Sequence, residues 1–382
     1  MFTGLRSETL KSKLSVIMNV KKYSFRVASF LLLTTLGSSC KKNNNPPPKL
    51  NENYFQTNLV ADVDGFGALR TDPTLVNAWG LTIAPTGSVW IAGNGSGMSA
   101  VYDTNGIPTL NPVGMPFQGV PNASAPTGVI FNPTPDFIIP ASQKKALFIF
   151  ATENGAVEAW GGGDAVTTTV ADHSDRNSSY KGIALGSVNG VNYLYATDFH
   201  NGKINVFDGN FNAVPSISLK DPNIPAGYGP FNIANLGGQL FVTYALRDFE
   251  AHDDSAGKGH GFVDVYSPDG SLIARFASQG PLNSPWGLAL VPDNGFGVPA
   301  HSVLVGNQGD GRINAFDSVG HFLGALQSNG VPLTIDRLWA LQFGNTVTGA
   351  NPDKLYFTAG PVDEGHGLFG YLLLQQFAQV KD

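Results

Sequence analysis

Short apolar segments alternate with tight polar turns along most of the chain. Between Pro285 and Gly320, apolar runs at 286–291 and 302–306 and an alternating run at 312–317 predict three short strands. The turn NQGDG at 307–311 joins the last two, because glycine supplies positive φ angles and Asn and Asp tolerate them. Glycine accounts for 46 of the 382 residues and charged residues for only 14%. This balance favours many short strands over a helical bundle.

The same unit recurs about six times. Aligning the units gives one anchor position near the start of each first strand: Gly80, Gly128, Gly182, Ile233, Gly287 and Ala340. A period near fifty residues, with three or four strands per unit, predicts an all-β fold, a six-bladed β-propeller over residues 53–378. A ring of five or seven blades is the structural alternative. The anchor is small in five units because inner strands crowd the channel, and Ile233 is the exception.

The two ends of the repeat region predict how the ring closes. The sixth unit ends close to Leu374 and lacks an outer strand of its own. The segment from Tyr54 to Val60 alternates like a strand and has no unit of its own. We expect this N-terminal strand to pair in the last blade and close the ring, which would remove an exposed sheet edge.

The first 40 residues predict an export signal. Basic residues at positions 21, 22 and 26 precede the apolar run 27–36, and small residues then lead to Cys40, the only cysteine in the chain. The segment ends like a lipobox, so we expect Cys40 to be lipidated; a plain cleaved signal peptide or an N-terminal anchor is the alternative. Met18 is an alternative start of translation.

Residues 41–52 are rich in Asn and Pro and predict a flexible tether between lipid and propeller. The protein is therefore expected to be exported to the cell envelope. There it would be anchored by its lipid in a membrane, facing the periplasm or the cell surface.

Several segments together resemble a known group of sequences. They include NAWGL, YKGIALG, YATDFHNGKINVFD, HDDSAGKGHGFVDVY, GPLNSPWGLAL and GNQGDGRINAFD. In this combination, from Tyr54 to Tyr371, the chain resembles an uncharacterised family of exported bacterial proteins, some of which carry a C-terminal PEP-CTERM sorting tail. More distantly the units resemble NHL-type propellers, a class that contains both binding modules and enzymes. The resemblance implies a fold and export but no activity.

Polar residues concentrate in the loops between the second and third strands. In a propeller these loops open on the same face as the links between blades, so they lie around one end of the channel. We predict that this face binds a ligand through Asn94, Glu153, Asp198, His200, Asn307, Asp310, Glu364 and His366. Asp198 and His200 could act as base and orienting group, although such residues also cap turns.

The longest of these loops, 245–260, suggests a cation site. Together with Asp198 it supplies His252, Asp253 and Asp254, and such groups suit Ca²⁺ or another divalent cation. The spacing matches no defined metal motif, so an ordinary solvated loop is the alternative reading.

The formal net charge of −6 argues against a nucleic-acid partner, which would require a basic face. Two functions stay open. One is a binding module for a small molecule, a glycan or a protein; the other is a metal-assisted hydrolase or lyase with its site at the channel mouth. No nucleophile or catalytic residue can be assigned. Trp79, Trp286 and Trp339 start equivalent strands, where they either pack or form an aromatic rim.

Overall fold

Six antiparallel sheets surround a central channel in the computed structural model, which describes residue 50 and residues 53–375. This architecture confirms the prediction of a six-bladed β-propeller. The predicted export signal with Cys40, and the predicted tether apart from residue 50, lie outside the described residues. No helical segment within the described ranges has the length and hydropathy needed to span a membrane.

The strands follow the chain order around the ring. Those up to the end of blade three are β1 (Tyr54–Ala61), β2 (Arg70–Thr71), β3 (Ala78–Ile83), β4 (Val89–Gly93), β5 (Met98–Tyr102), β6 (Pro108–Gly114), β7 (Pro126–Phe131), β8 (Phe148–Thr152), β9 (Ala156–Trp160), β10 (Thr168–Asp172), β11 (Tyr180–Val188), β12 (Val191–Asp198) and β13 (Lys203–Phe207). Blade one contains β3 to β6, blade two β7 to β10, and blade three β11 to β13. Two short 3₁₀ turns lie at Asn94–Ser96 and Ser174–Arg176.

The remaining strands form blades four to six. They are β14 (Tyr228–Leu236), β15 (Gln239–Leu246), β16 (Phe262–Tyr266), β17 (Leu272–Ser278), β18 (Pro285–Leu290), β19 (Val303–Asn307), β20 (Ile313–Phe316), β21 (Phe322–Ala325), β22 (Gln327–Ser328), β23 (Val331–Pro332), β24 (Leu338–Phe343), β25 (Lys354–Ala359) and β26 (Leu368–Leu374). Blade four contains β14 to β17 and blade five β18 to β21. The small hairpin β22–β23 precedes blade six, which contains β24 to β26.

The N-terminal strand closes the ring, as predicted. Strand β1 runs antiparallel to β26, with a register that extends from Tyr54 opposite Leu374 to Ala61 opposite Leu368. The short strand β2 adds to the outer edge of β1 in parallel. The first and last segments of the propeller are therefore held in one sheet.

The apolar core lies in layers within and between neighbouring blades. Between blades one and two, for example, Trp90 of β4 stacks on Phe148 of β8 with ring centroids 3.9 Å apart, and Trp160 of β9 packs beside them. Alternation along each strand supplies one apolar face to each neighbouring blade. This packing fixes the inner strands around the channel.

The strand register corrects one anchor position. In blade one the residue after the anchor, Leu81, lies opposite Ile91. The corresponding pair in blade four is Ile233 and Val242, so Asn232, not Ile233, takes the place of Gly80. The side chain of Asn232 fits because its Nδ2 donates to the carbonyl oxygen of Trp286, 2.7 Å away in blade five.

Glycine at the anchor allows the inner strands to approach closely. A Cβ atom on Gly80 would overlap the backbone of Thr127 and Gly128 in blade two. A Cβ on Gly182 would likewise collide with the amide oxygen of Asn232. The small anchors are thus required by the neighbouring blade.

Candidate functional site at the channel mouth

The residue before the anchor in each inner strand contributes to a ring around the channel. By strand register these ring residues are Trp79, Thr127, Lys181, Phe231, Trp286 and Trp339. Trp79 and Trp339 stack with centroids 3.7 Å apart, and Trp286 meets them edge-on. All three tryptophans are buried, so they fill the channel. They are not placed as an exposed rim on which a sugar could stack.

Lys181 occupies the ring position that tryptophan holds in three other blades. Its side chain is fully buried, with Nζ 4.9 Å from the ring centroid of Trp79. The ammonium pairs with Glu153 and lies 3.3 Å from Asp253 Oδ1. Burial by itself would lower the pKa of Lys181, but the charges of Glu153 and Asp253 outweigh it and raise that pKa. Lys181 is therefore a buried group whose charged form is favoured by its two carboxylate partners.

Sequence reasoning did not identify Lys181 as a site residue. A signal was present, because Lys181 stands before the anchor in YKGIALG where Trp79 stands in AWGL and Trp286 in PWGL. A charged residue at a position that is aromatic in three other repeats marks the blade in which the channel is chemically different.

A second layer of polar residues lies above this ring. The first residues of the loops after β4, β8 and β19 are Asn94, Glu153 and Gln308. Asn94 Nδ2 donates to Glu153 Oε2 at 2.8 Å, and Gln308 Nε2 donates to Glu364 Oε1 at 3.1 Å. The buried Oε1 atom of Gln308 accepts no hydrogen bond from any described residue. The layer therefore keeps one buried acceptor free.

Glu364 reaches the channel from a left-handed turn. The φ angles of Val362, Asp363 and Glu364 are 59°, 49° and 65°, and a β-branched residue with positive φ is a genuine outlier. Side chains hold the turn in place: Asp336 Oδ2 accepts from the Val362 N–H at 2.9 Å, and Arg337 Nη2 donates to Asp363 Oδ1 at 2.6 Å. Such strain persists only where surrounding contacts impose it, and it concentrates at functional sites.

The turn brings the Glu364 carboxylate into the polar layer above the ring residues. Its Oε2 accepts from Asn77 Nδ2 at 2.9 Å. Burial raises the pKa of Glu364 to about 7, although the Asn77 hydrogen bond and the charge of Lys181 act in the opposite direction. Asp254 is a second acid of this kind, because burial raises its pKa as well. Two carboxyl groups at this end of the channel thus resist ionisation.

We call this group of residues the channel mouth. It comprises Asn77, Asn94, Glu153, Lys181, Asp253, Asp254, Gln308, Arg337, Asp363 and Glu364. Five carboxyl groups here face two basic groups, and both bases are paired. The side chains of Asp253 and Asp363 are 73% and 89% exposed, whereas Lys181 is 0% and Arg337 29% exposed. The charge that a ligand would meet is therefore acidic.

The structure brings only some of the residues predicted for the ligand-binding face to this mouth. Asn94, Glu153 and Glu364 lie there, linked through shared hydrogen-bond partners. Asp198 is buried instead and accepts from Ser178 Oγ and Asn201 Nδ2, both at 2.9 Å. Its role is that of a turn-stabilising carboxylate.

The other predicted face residues also make local contacts. Asn307 Nδ2 donates to Asp310 Oδ1 at 2.9 Å within the turn after β19. His366 Nδ1 lies 2.9 Å from Asp62 Oδ2, which links the last blade to the segment after β1. His200 packs against His252 with ring centroids 4.9 Å apart. None of these contacts reaches the channel mouth as defined above.

The residues proposed to hold a divalent cation do not fit one. The described part of the chain contains no group of three or more His, Cys, Asp or Glu side chains placed to hold a metal ion. Asp253 is paired with Lys181, while Asp198 is occupied by hydrogen bonds and lies 3.8 Å from Lys203 Nζ. The long loop supplies the residue types that suit Ca²⁺, but His252 packs against His200 and Asp253 pairs with Lys181.

Comparison with known proteins identifies relatives in a virus. The uncharacterized protein R648 of Acanthamoeba polyphaga mimivirus is 33% identical over 321 residues, covering 81% of this chain and 78% of that protein. The uncharacterized protein L690 of the same virus is 32% identical over 327 residues, covering 81% and 83%. No family model matches the chain.

Solved structures share the fold at low sequence identity. A streptogramin B lyase superposes with a TM-score of 0.50 and 13% identity, covering 86% of this chain and 100% of that one. A luciferin-regenerating enzyme gives a TM-score of 0.50 and 14% identity, covering 80% and 94%. At this identity the similarity concerns the propeller architecture alone.

Proposed function

We propose that this chain, which belongs to the protein family of the uncharacterized mimivirus proteins R648 and L690, is a binding module for cations. Its channel mouth would take an ammonium or guanidinium group carried by a small molecule or a protein. One observation carries the proposal: the mouth residues named above include five carboxyl groups but two basic groups, and the basic side chains are more covered than their partners Asp253 and Asp363.

The chemistry of the mouth suits such a group. A cation beside Glu364 would offset the repulsion that the charges of Asp253 and Glu153 exert on the Glu364 carboxylate. The Oε1 atom of Gln308 offers an acceptor for an N–H donor. An ammonium or guanidinium group presents several N–H donors in one place, so it can use carboxylate and amide oxygens together.

The ionisation of Glu364 makes the proposal testable by pH. With a pKa of about 7, this side chain is mostly neutral at pH 6 and mostly charged at pH 8. A bound cation favours the charged form, so binding should strengthen about tenfold between pH 6 and pH 8 and release a proton near neutrality. The measurement is calorimetric titration with N-butylguanidinium, compared with the isosteric but uncharged N-butylurea, which should bind at least about tenfold more weakly.

Two variants complete this experiment. Glu364→Gln should weaken N-butylguanidinium binding and remove its dependence on pH. Asp293→Asn removes a 95% exposed carboxylate from the loop after β18, at the other end of the channel, and should bind like the original protein. Equal binding of the urea, or an unchanged pH dependence in Glu364→Gln, would contradict the proposal.

A hydrolase or lyase is the second candidate function, and Glu364 is again the residue that favours it. A general acid–base group works best with a pKa near the working pH, and the pKa of Glu364 is about 7. Turnover in a substrate screen at pH 7 that disappears in Glu364→Gln would favour this function. The metal-assisted form expected from the sequence has no metal-ligand group among the described residues.

We also propose that the protein is exported and held at a membrane of the cell envelope by a lipid on Cys40. The support is the order of basic, apolar and small residues before this cysteine. Cys40→Ser should move the protein from the membrane fraction to the soluble fraction, because one anchor is lost. Fractionation followed by immunoblotting measures this, and a variant that still sediments with salt-washed membranes would show that Cys40 is not the anchor.

A further inference from the structure

The channel contains a second candidate site at the end opposite the acidic mouth. A cavity of about 540 Å³ is lined by the later residues of the inner strands of all six blades. This volume falls within the range of small-molecule pockets. We infer that the cavity binds an uncharged, largely apolar small molecule that carries one hydrogen-bonding group.

The lining supports an uncharged ligand. Among the residues that the structure describes, no charged side chain lines this cavity, and most of the lining side chains are aliphatic, such as Ile130, Leu185 and Leu290. An ion entering here would lose hydration without gaining a partner, which is costly. The two ends of one channel therefore differ in chemistry: the mouth described above is acidic, and this end is neutral.

The inner end of the cavity is closed by aromatic side chains. Trp286 lines the cavity and contacts both Trp79 and Trp339 edge-on, with centroids 6.2 and 5.8 Å apart. Phe231 meets Trp339 at 5.9 Å. The ring residues thus separate the cavity from the charged mouth, so a ligand enters from the open end and stops at an apolar wall.

The polar side chains that line the cavity are Thr82, Asn232, Asn235 and Gln342. The amides of Asn232 and Asn235 donate to the carbonyl oxygens of Trp286 and Leu185, so Gln342 and Thr82, on neighbouring blades, define the ligand's hydrogen-bonding group. Gln342 of β24 lines the cavity and makes no side-chain hydrogen bond to a described residue. Thr82 of β3 occupies the equivalent position in blade one and only accepts from the Phe131 N–H, at 3.3 Å, which leaves its hydroxyl proton free. A carbonyl, hydroxyl or N–H group on the ligand would match this pair, because the Gln342 amide both donates and accepts.

Fluorescence titration tests the inference with N-phenyl-1-naphthylamine, a neutral apolar probe with one N–H group. We expect saturable binding of one probe per chain with a change in tryptophan emission. Ala234 is half-buried at the cavity wall, so Ala234→Trp should fill the cavity and weaken binding at least tenfold. Ala141→Trp adds the same side chain at an exposed position away from the lining and should not affect binding.

Further variants and a second probe test the inference if the Ala234→Trp protein is unstable. Gln342→Glu places a carboxylate in the cavity and should also weaken the neutral probe at least tenfold, while Glu364→Gln at the mouth should leave its affinity unchanged. The inference is overturned if the probe does not saturate or if an anionic naphthalene sulfonate binds equally well. It is also overturned if both cavity variants bind like the original protein.

Discussion

A chain that begins at Val63, without β1, is expected to lose cooperative folding. Four side chains of β1 are almost fully buried, and three of them are large: Tyr54, Leu59 and Val60, with Ala61 as the fourth. Burying a large apolar side chain contributes about 1.5–3 kcal/mol, so their loss removes about 6 kcal/mol. A typical domain has only about 5–15 kcal/mol in total. The truncation also leaves the edge of β26 unpaired, which favours aggregation.

The matched control is a chain that begins at Leu50 and keeps β1 with its full pairing to β26. Thermal unfolding followed by circular dichroism compares the two chains, and size-exclusion chromatography reports aggregation. We expect the Leu50 chain to unfold like the full protein and the Val63 chain to show a broad transition at lower temperature. Coincident melting curves would mean that β1 is not needed to close the ring.

Replacing Arg275 by methionine is expected to destabilise the protein by about 3–5 kcal/mol, because two buried carboxylates would lose their partner. Arg275 of β17 pairs with Asp264 of β16 and with Asp221 in the link between blades three and four. The carboxylates are 0% and 2% exposed. Methionine keeps an unbranched apolar side chain but removes the guanidinium, which lies over the ring of Phe262 at 4.8 Å from its centroid, so the loss would be mainly electrostatic.

This prediction depends on pH in a defined direction. Burial raises the pKa of Asp264 to about 6, even though the charge of Arg275 opposes that change. Without Arg275 this pKa rises further above its unfolded value, so the folded state disfavours the charged form more strongly. The additional loss of stability should therefore be larger at pH 8 than at pH 5.

Urea unfolding at both pH values measures the effect. Arg312→Met is the control, because Arg312 is 50% exposed and lies 3.9 Å from Asp310; an exposed pair of this kind contributes at most about 1 kcal/mol. Equal losses in the two variants, or a loss in Arg275→Met that does not change with pH, would contradict this account of the buried cluster.

The blades could be predicted from the sequence because each one repeats the same local signals. Small anchors, alternating apolar residues and glycine-containing turns recur with a period near fifty residues. The anchor position of blade four was harder to predict from the sequence because Asn232 takes the place of the small residue found in the other blades. Its fit depends on Trp286 in blade five, a contact that local sequence does not reveal.

The channel mouth was only partly predictable for a related reason. Asp198 and Glu153 look alike in the sequence, since both are acids near a loop between the second and third strands. The structure turns Asp198 inward, where it accepts from Asn201 of its own turn, and places Glu153 against Lys181. The position of the Glu364 side chain depends on a left-handed turn of Val, Asp and Glu, residues that rarely adopt positive φ angles. Tertiary contacts, not local preference, decide all three outcomes.

The ring residues make the charge distribution at the channel mouth asymmetric about the channel axis. A backbone of six similar blades presents six similar sectors to anything that approaches along the channel axis. Only one of the six ring residues, Lys181, carries a positive charge, and Glu364 enters above the ring from blade six. The electric field at the mouth therefore lacks the near-sixfold symmetry of the backbone, and a charged molecule seated there would have one preferred rotational setting.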